Sequence, residues 1–182
     1  MNTSQFVLSL IHAFGGVRGR TLFQKRGYFV SLLMGFNFDL GYQAHYYGPY
    51  SAKLDGTLTQ MKNLGFVEEA TTGFGVISDG FEMRRYDYNL TEDGKRVLEP
   101  FLKTAEYAEI AKAVRKIKDA GDPDYVELSI AAKAFFILKK QRKGMTPTEL
   151  KEEATKFRWD IPENSLGKAV DFLSKVRLAS TP

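Results

Sequence analysis

Three groups of side chains have the types and spacing to hold a nucleic-acid backbone. Arg18, Arg20, Lys25 and Arg26 are the densest basic group in the first half of the chain. Gly15, Gly16 and Gly19 around them leave room for backbone amides to approach a phosphate. No Gly-Lys-Ser/Thr ending follows, so phosphate-backbone anchoring, or plain solubility, suits these residues better than a nucleotide-binding loop. Ser51, Lys53, Thr57 and Gln60 fall on one predicted helix and suit phosphate and base-edge contacts in a major groove. Asp55 on the same helix would repel phosphate, and the competing reading is an ordinary solvated face. Arg84 and Arg85 could meet a phosphate or a minor groove, but Glu82 and Asp87 flank them, so ion pairing competes.

Catalytic chemistry has less to build on. Ser51, His45 and Asp39 supply the residue types of a triad, yet a triad is a spatial arrangement that sequence proximity does not create. Tyr42, His45, Tyr46, Tyr47 and Tyr50 read as aromatics packing around the Gly48-Pro49 turn. His12 sits on an apolar helix stripe and reads as a core histidine. Two histidines without cysteine disfavour a zinc site and exclude thiol chemistry. We therefore expect no catalytic residue, no metal and no cofactor, and a protein that is not an enzyme.

The elements that must position these groups follow from periodicity and punctuation. Thr3 is placed to cap a first helix carrying Phe6, Leu10, Ile11 and Phe14, which Gly15-Gly16 stops. Thr21 is placed to cap a second, with Leu22, Phe29, Leu32 and Leu33 inward, ending at Gly35. Phe36 to Tyr50 reads as an aromatic-rich extended segment. Ser51 then caps a third helix with Leu54, Leu58 and Met61 on one face, left through Leu64-Gly65-Phe66. A hairpin turning at Asp79-Gly80 returns along Tyr86, Tyr88 and Leu90. Thr91 starts a further helix, so Tyr86-Asp87-Tyr88-Asn89-Leu90-Thr91-Glu92-Asp93-Gly94 marks a strand passing into a helix. Three helices, a hairpin and another helix are the parts of a winged helix.

Past residue 102 the pattern is wholly helical. One helix is expected from Lys103 to Lys118, and Asp119 to Asp124 is the best linker candidate. A helix with Val126, Ile130, Ala134, Phe135 and Leu138 follows, ending in the basic run Lys139, Lys140, Arg142 and Lys143. Thr146-Pro147-Thr148-Glu149 starts another, and a last one from Glu163 carries Leu166, Val170, Leu173 and Val176. The fold class expected is mainly α with a small β-hairpin: a winged helix-turn-helix over 1–102, a connecting helix over 103–120, and a helix-turn-helix-like three-helix unit over 125–182.

Charge is distributed unevenly. The 182 residues carry 26 Lys+Arg and 22 Asp+Glu, a net +4. Residues 1–102 hold 10 of each sign, so the whole excess lies beyond them, where Lys116, Lys118 and the run from Lys139 contribute. A duplex-binding winged helix would need local clustering of its cations. No stretch reads as a signal peptide or membrane span, which implies a cytoplasmic protein without membrane contact.

Phe23-Gln24-Lys25-Arg26-Gly27-Tyr28, followed by His45-Tyr46-Tyr47-Gly48-Pro49-Tyr50-Ser51, resembles the YwgA-like proteins of bacteria and archaea, and more distantly the Panacea-domain antitoxins. The Leu64-Gly65-Phe66 exit and the segment Glu127-Leu128-Ser129-Ile130-Ala131-Ala132-Lys133 extend the likeness. The resemblance implies a winged-helix-like fold and a regulatory or toxin-neutralising role, with no catalytic residues. Two functions follow as expectations. One is a homodimeric regulator binding double-stranded DNA, dimerised through Lys103–Lys118 and the C-terminal helices. The other is an antitoxin- or adaptor-type module whose partner is a protein.

Overall fold

Side-chain caps set most of the helix starts. Asn2 accepts from Gln5 N and Gln5 Oε1 accepts from Asn2 N, a capping box that starts α1 (Thr3–Phe14) with Asn2 rather than Thr3 as its cap. The second helix, α2 (Arg20–Leu33), begins after Gly19 rather than Thr21, and no side chain caps it. Ser51 caps α3 (Ala52–Asn63), Thr91 caps α4 (Glu92–Leu98) and Thr104 caps α5 (Ala105–Asp119). Asp124 caps α6 (Tyr125–Gln141), and the Thr146–Glu149 capping box with Pro147 opens α7 (Pro147–Lys156). The last helix, α8 (Glu163–Lys175), follows Pro162.

The computed structural model describes residues 1–76 and 82–179; the turn expected at Asp79-Gly80 lies outside them. The molecule is mainly helical with a small antiparallel sheet. The strands are β1 (Val17–Arg18), β2 (Gln43–His45), β3 (Gly48–Tyr50), β4 (Val67–Val76) and β5 (Glu82–Leu90). The three-stranded sheet has the order β1-β5-β4, with Val17 opposite Tyr88, Arg18 opposite Asp87 and Val67 opposite Leu90. Two elements depart from the sequence reading. Residues 17–18, read as loop, pair with β5; the segment before α3, read as simply extended, folds into the hairpin β2–β3. Gly48, at φ +97, provides the backbone conformation that this tight return requires.

The apolar core is continuous. α1 packs on α3 and α5, α2 on α5 and α6, and α6 on α7 and α8. Phe29 of α2 meets Phe172 of α8 edge-on, with ring centroids 5.0 Å apart. The boundaries expected near 102 and 125 fall at the 3-10 turn Phe101–Lys103 and at the start of α6, and the core runs across both. On α5, Ile110, Ala113, Val114 and Ile117 are buried in the chain's own core. The apolar stripe of the segment Lys103–Lys118, expected to supply dimer contacts together with the C-terminal helices, therefore faces inward. Val126 and Val170, read as packing residues, are exposed, as is Val97.

Gly94 explains the close of the strand-to-helix signature. A Cβ there would lie 2.0 Å from Phe66 O, so α4 can sit against the α3 exit only without a side chain at this position. Thr91 completes the junction: its backbone N–H donates to Phe66 O at 3.1 Å and its hydroxyl donates to Gly65 O at 2.7 Å. Among the described residues, no helix is long and apolar enough to cross a membrane.

Candidate nucleic-acid interface

The start of α2 gathers cations from three elements. Gly19 holds φ +98 as the N-cap and its N–H donates to Tyr86 O on β5 at 3.0 Å. The first turn has neither a side-chain cap nor an acidic residue of its own, so the positive end of the helix dipole is not neutralised from within the helix. Exposed Arg18 on β1 precedes it, and Arg20 opens it. The stem of Arg85 runs beside it, with Cγ 3.8 Å from where a Cβ on Gly19 would stand. Two carboxylates answer these charges. Arg85 makes a two-pronged bond to Asp87, Nε to Oδ1 at 2.7 Å and Nη2 to Oδ2 at 2.8 Å. Arg20 Nε lies 3.4 Å from Asp55 Oδ1; burial lowers the Arg20 pKa, but Asp55 together with Tyr88 and Glu69 raises it above its ordinary value.

The start of α3 lies beside this group, because Arg20 reaches Asp55 in the first turn of α3. Lys53 is exposed; its ammonium donates to Asp39 O at 3.3 Å and stands 5.9 Å from the Phe38 ring. Thr57 is half-buried and its hydroxyl donates back to Lys53 O, while Gln60 is exposed one turn further on. Phe38 and Asp39 also line a cleft of about 300 Å³ together with Lys139 and Lys140 of α6. The fold thus brings the basic end of α6 to the loop that Lys53 touches. Sequence separation of more than eighty residues hid this convergence.

Three of the ten residues expected to touch DNA are buried and serve the interior instead. Lys25 is 2% exposed, and its ammonium donates to Pro49 O at 2.7 Å. Burial, reinforced by nearby Lys133, pulls its pKa down to about 7. Arg26 is buried with its guanidinium 4.0 Å from the Phe14 ring centroid and bonded to Asp122 Oδ1 at 2.8 Å. Burial lowers its pKa and Asp122 opposes that. Ser51 is wholly buried; its hydroxyl donates to Leu40 O and accepts from Leu54 N at 3.0 Å. For Arg84 the backbone pairs with Gly73, and its side chain lies outside the described residues.

The aromatic cluster divides in two. Tyr42 packs edge-on against Tyr28 at 4.9 Å and its hydroxyl donates to Gln24 O at 2.9 Å. The His45 ring lies 4.9 Å from Tyr50, while Ser51 Oγ is occupied by the capping bonds given above. Tyr46 and Tyr47, at the tip of the hairpin, are 71% and 63% exposed. His12 is exposed rather than in the core, and its Nδ1 lies 2.8 Å from the Tyr107 hydroxyl on α5. Among the described residues, no three His, Cys, Asp or Glu side chains gather as for a metal ion.

No family model matches the chain. Over 85 residues, 47% of its length, the chain is 36% identical to the uncharacterised protein YwgA of Bacillus subtilis (strain 168). The matched part is likewise 47% of that relative, so the chain spans about half the length of the curated relative it matches. The similarity is to a YwgA-like protein over part of the chain.

Proposed function

We propose that this protein is a winged-helix regulator that binds double-stranded DNA in the cytoplasm, with the starts of α2 and α3 facing the duplex. The order α1-β1-α2-β2-β3-α3-β4-β5, a winged-helix order with the β2–β3 hairpin inserted between α2 and α3, and the β1-β5-β4 sheet support this reading, with α3 as the helix that enters a major groove. The likeness to YwgA carries no activity. The observation that carries the DNA reading is the start of α2, whose first turn has no side-chain cap and no acid of its own, with Arg18, Arg20 and Arg85 around Gly19 and Asp55 and Asp87 paired to the last two. Backbone amides and the dipole favour a phosphate there, and the arginines add formal charge. Lys53, Thr57 and Gln60 on α3 then face the groove. The test is fluorescence anisotropy with a labelled random-sequence duplex at low ionic strength. Binding is expected, weakened in Arg18→Ala and Arg20→Ala; absence of binding by the unaltered protein refutes the assignment.

A second reading is an antitoxin- or adaptor-type module, the role that a distant kinship with Panacea-domain antitoxins would bring. One observation favours it. A groove of about 550 Å³ lies between α1, the end of α3 and α4, with Leu8, Met61 and Phe66 among its lining residues. Leu64 and Val97 line it while remaining 55% and 53% exposed. Apolar side chains beside a groove suit a protein partner more than a phosphate. Leu64→Asp would abolish that association and leave duplex binding intact. In either reading, a homodimer must use surfaces other than the buried stripe of α5.

A further inference from the structure

Two contacts made by the first turn of α3 leave it in opposite directions. Lys53 donates to Asp39 O, and Asp55 pairs with Arg20 at the start of α2. Positions two apart are separated by about 200° around a helix of 3.6 residues per turn, so these contacts lie on the two flanks of α3. Leu54, Leu58 and Met61 fill the buried face between the flanks, and Ala52, Gly56, Thr59 and Gln60 make the exposed face opposite. One flank of that exposed face therefore belongs to Arg20, and the other to the loop that holds Phe38 and Asp39.

That loop is a braced bridge to α6. The Phe38 ring lies 5.2 Å from that of buried Phe6, Leu40 O accepts from the Ser51 hydroxyl, and Asp39 Oδ1 accepts from Gly41 N at 2.8 Å. Lys139 and Lys140, exposed in the last turn of α6, line the same cleft as Phe38 and Asp39. The Lys140 ammonium stands 4.8 Å from the Phe157 ring centroid. Among the described residues, no carboxylate comes within ion-pairing distance of Lys53, Lys139 or Lys140. Lys62, Lys95, Lys168 and Lys175, elsewhere on the surface, each have one. With Asp39 as the acid among the cleft's lining residues, this flank of α3 is left net positive.

We infer that Lys139 and Lys140 form a further DNA contact, holding phosphates of the strand on the Lys53 side of the groove that α3 enters, while Arg18 and Arg20 hold the strand on the other side. The contact rests on the duplex-binding reading and extends it from the N-terminal helices to α6. A helix with its side chains is about 10–12 Å across and the major groove is ~12 Å wide, so cations on both flanks of α3 meet the two strands that border the groove. Each lysine acts on phosphate as a point charge and releases condensed counterions. The contact therefore adds affinity and salt dependence without reading bases. It also gives the basic excess beyond residue 102 a place at the duplex.

The experiment follows the anisotropy of the same random-sequence duplex across a salt series, for the unaltered protein and paired variants. Lys139→Gln/Lys140→Gln removes both charges, and Lys139→Arg/Lys140→Arg keeps them. Lys168→Gln/Lys175→Gln removes the same net charge from α8, away from the cleft. The α6 glutamine pair is expected to bind roughly tenfold more weakly at low salt, with a salt slope about two units closer to zero. The arginine pair and the α8 pair should keep the slope of the unaltered protein. If the unaltered protein binds and the α6 glutamine pair matches it, the α6 contact is refuted and the duplex reading stands. An equal loss in the α8 pair also refutes it, because net charge alone then accounts for the effect. So does an arginine pair as weak as the glutamine pair, because the loss then does not follow charge. If the unaltered protein does not bind, both fall together.

Discussion

The side-chain amide of Gln24 bonds both backbone groups of Ser51: Oε1 accepts the Ser51 N–H at 3.0 Å and Nε2 donates to Ser51 O at 3.1 Å. The amide acts as a strand partner would, and it is buried. It ties α2 to the residue that caps α3, beside the Arg20–Asp55 ion pair that also joins the two helix starts. Tyr42 locks the same turn from outside by donating to Gln24 O.

Gln24→Ala leaves the buried Ser51 N–H without a partner, while Ser51 O keeps its bond from Asp55 N at 3.1 Å. The expected cost is about 1–3 kcal/mol, the cost of one orphaned buried group. Urea unfolding followed by Trp159 emission measures it. A loss within experimental error would show that water replaces the amide freely.

Lys25 gives stability a distinctive pH dependence. The folded protein releases this proton at about 7. The unfolded chain keeps it to about 10.4. Between those values the unfolded chain binds more protons, so stability rises with pH from about 7 towards 10. Below that window the cost of a buried ammonium is fully present. Lys25→Met should remove this rise, measured as urea midpoints at about pH 7 and about pH 9.5. Parallel profiles for the two proteins would contradict the assignment.

Gly94→Ala drives a methyl into Phe66 O, a backbone atom that cannot rotate away. Overpacking of this kind costs about 1–3 kcal/mol and sometimes more, and the clash here places the variant at the upper end. Thermal unfolding should show a clear drop in Tm, whereas Gly56→Ala, on the open face of α3, should raise it slightly.

Asp55, in the first turn of α3, pairs with Arg20, and on the proposed duplex-binding reading it repels phosphate there. Asp55→Asn removes one negative charge and releases the guanidinium. Duplex affinity should rise roughly three- to tenfold at low salt, and the gain should shrink as salt screens it. Weaker binding by this variant would mean that Asp55 positions Arg20 productively.

The parts of the fold that local chemistry dictates were legible in the sequence. Ser51 and Thr91 are caps, Gly65 is the αL exit of α3, and Thr146 with Glu149 forms a capping box, each from spacing alone. What depends on distant partners was not legible. Lys25 and Arg26 read as part of a basic group suited to phosphate anchoring or plain solubility, yet their acceptors are Pro49 O and Asp122. β1 is two residues long and exists only because β5 supplies its bonds. Asp55 was visible as an obstacle to phosphate, but its pairing with Arg20 required the two helix starts to meet. Lys139 and Lys140 accounted for net charge in sequence, and only packing brings them to the loop that Lys53 touches.

Salt dependence of duplex binding tests the central claim most directly. With roughly four to six phosphates engaged, the logarithm of the binding constant should fall against the logarithm of salt with a slope of about −4 to −5. Arg20→Ala and Lys53→Ala should each bring that slope about one unit closer to zero. A protein that does not bind duplex at low ionic strength, or binds with a slope that neither substitution changes, would contradict the account.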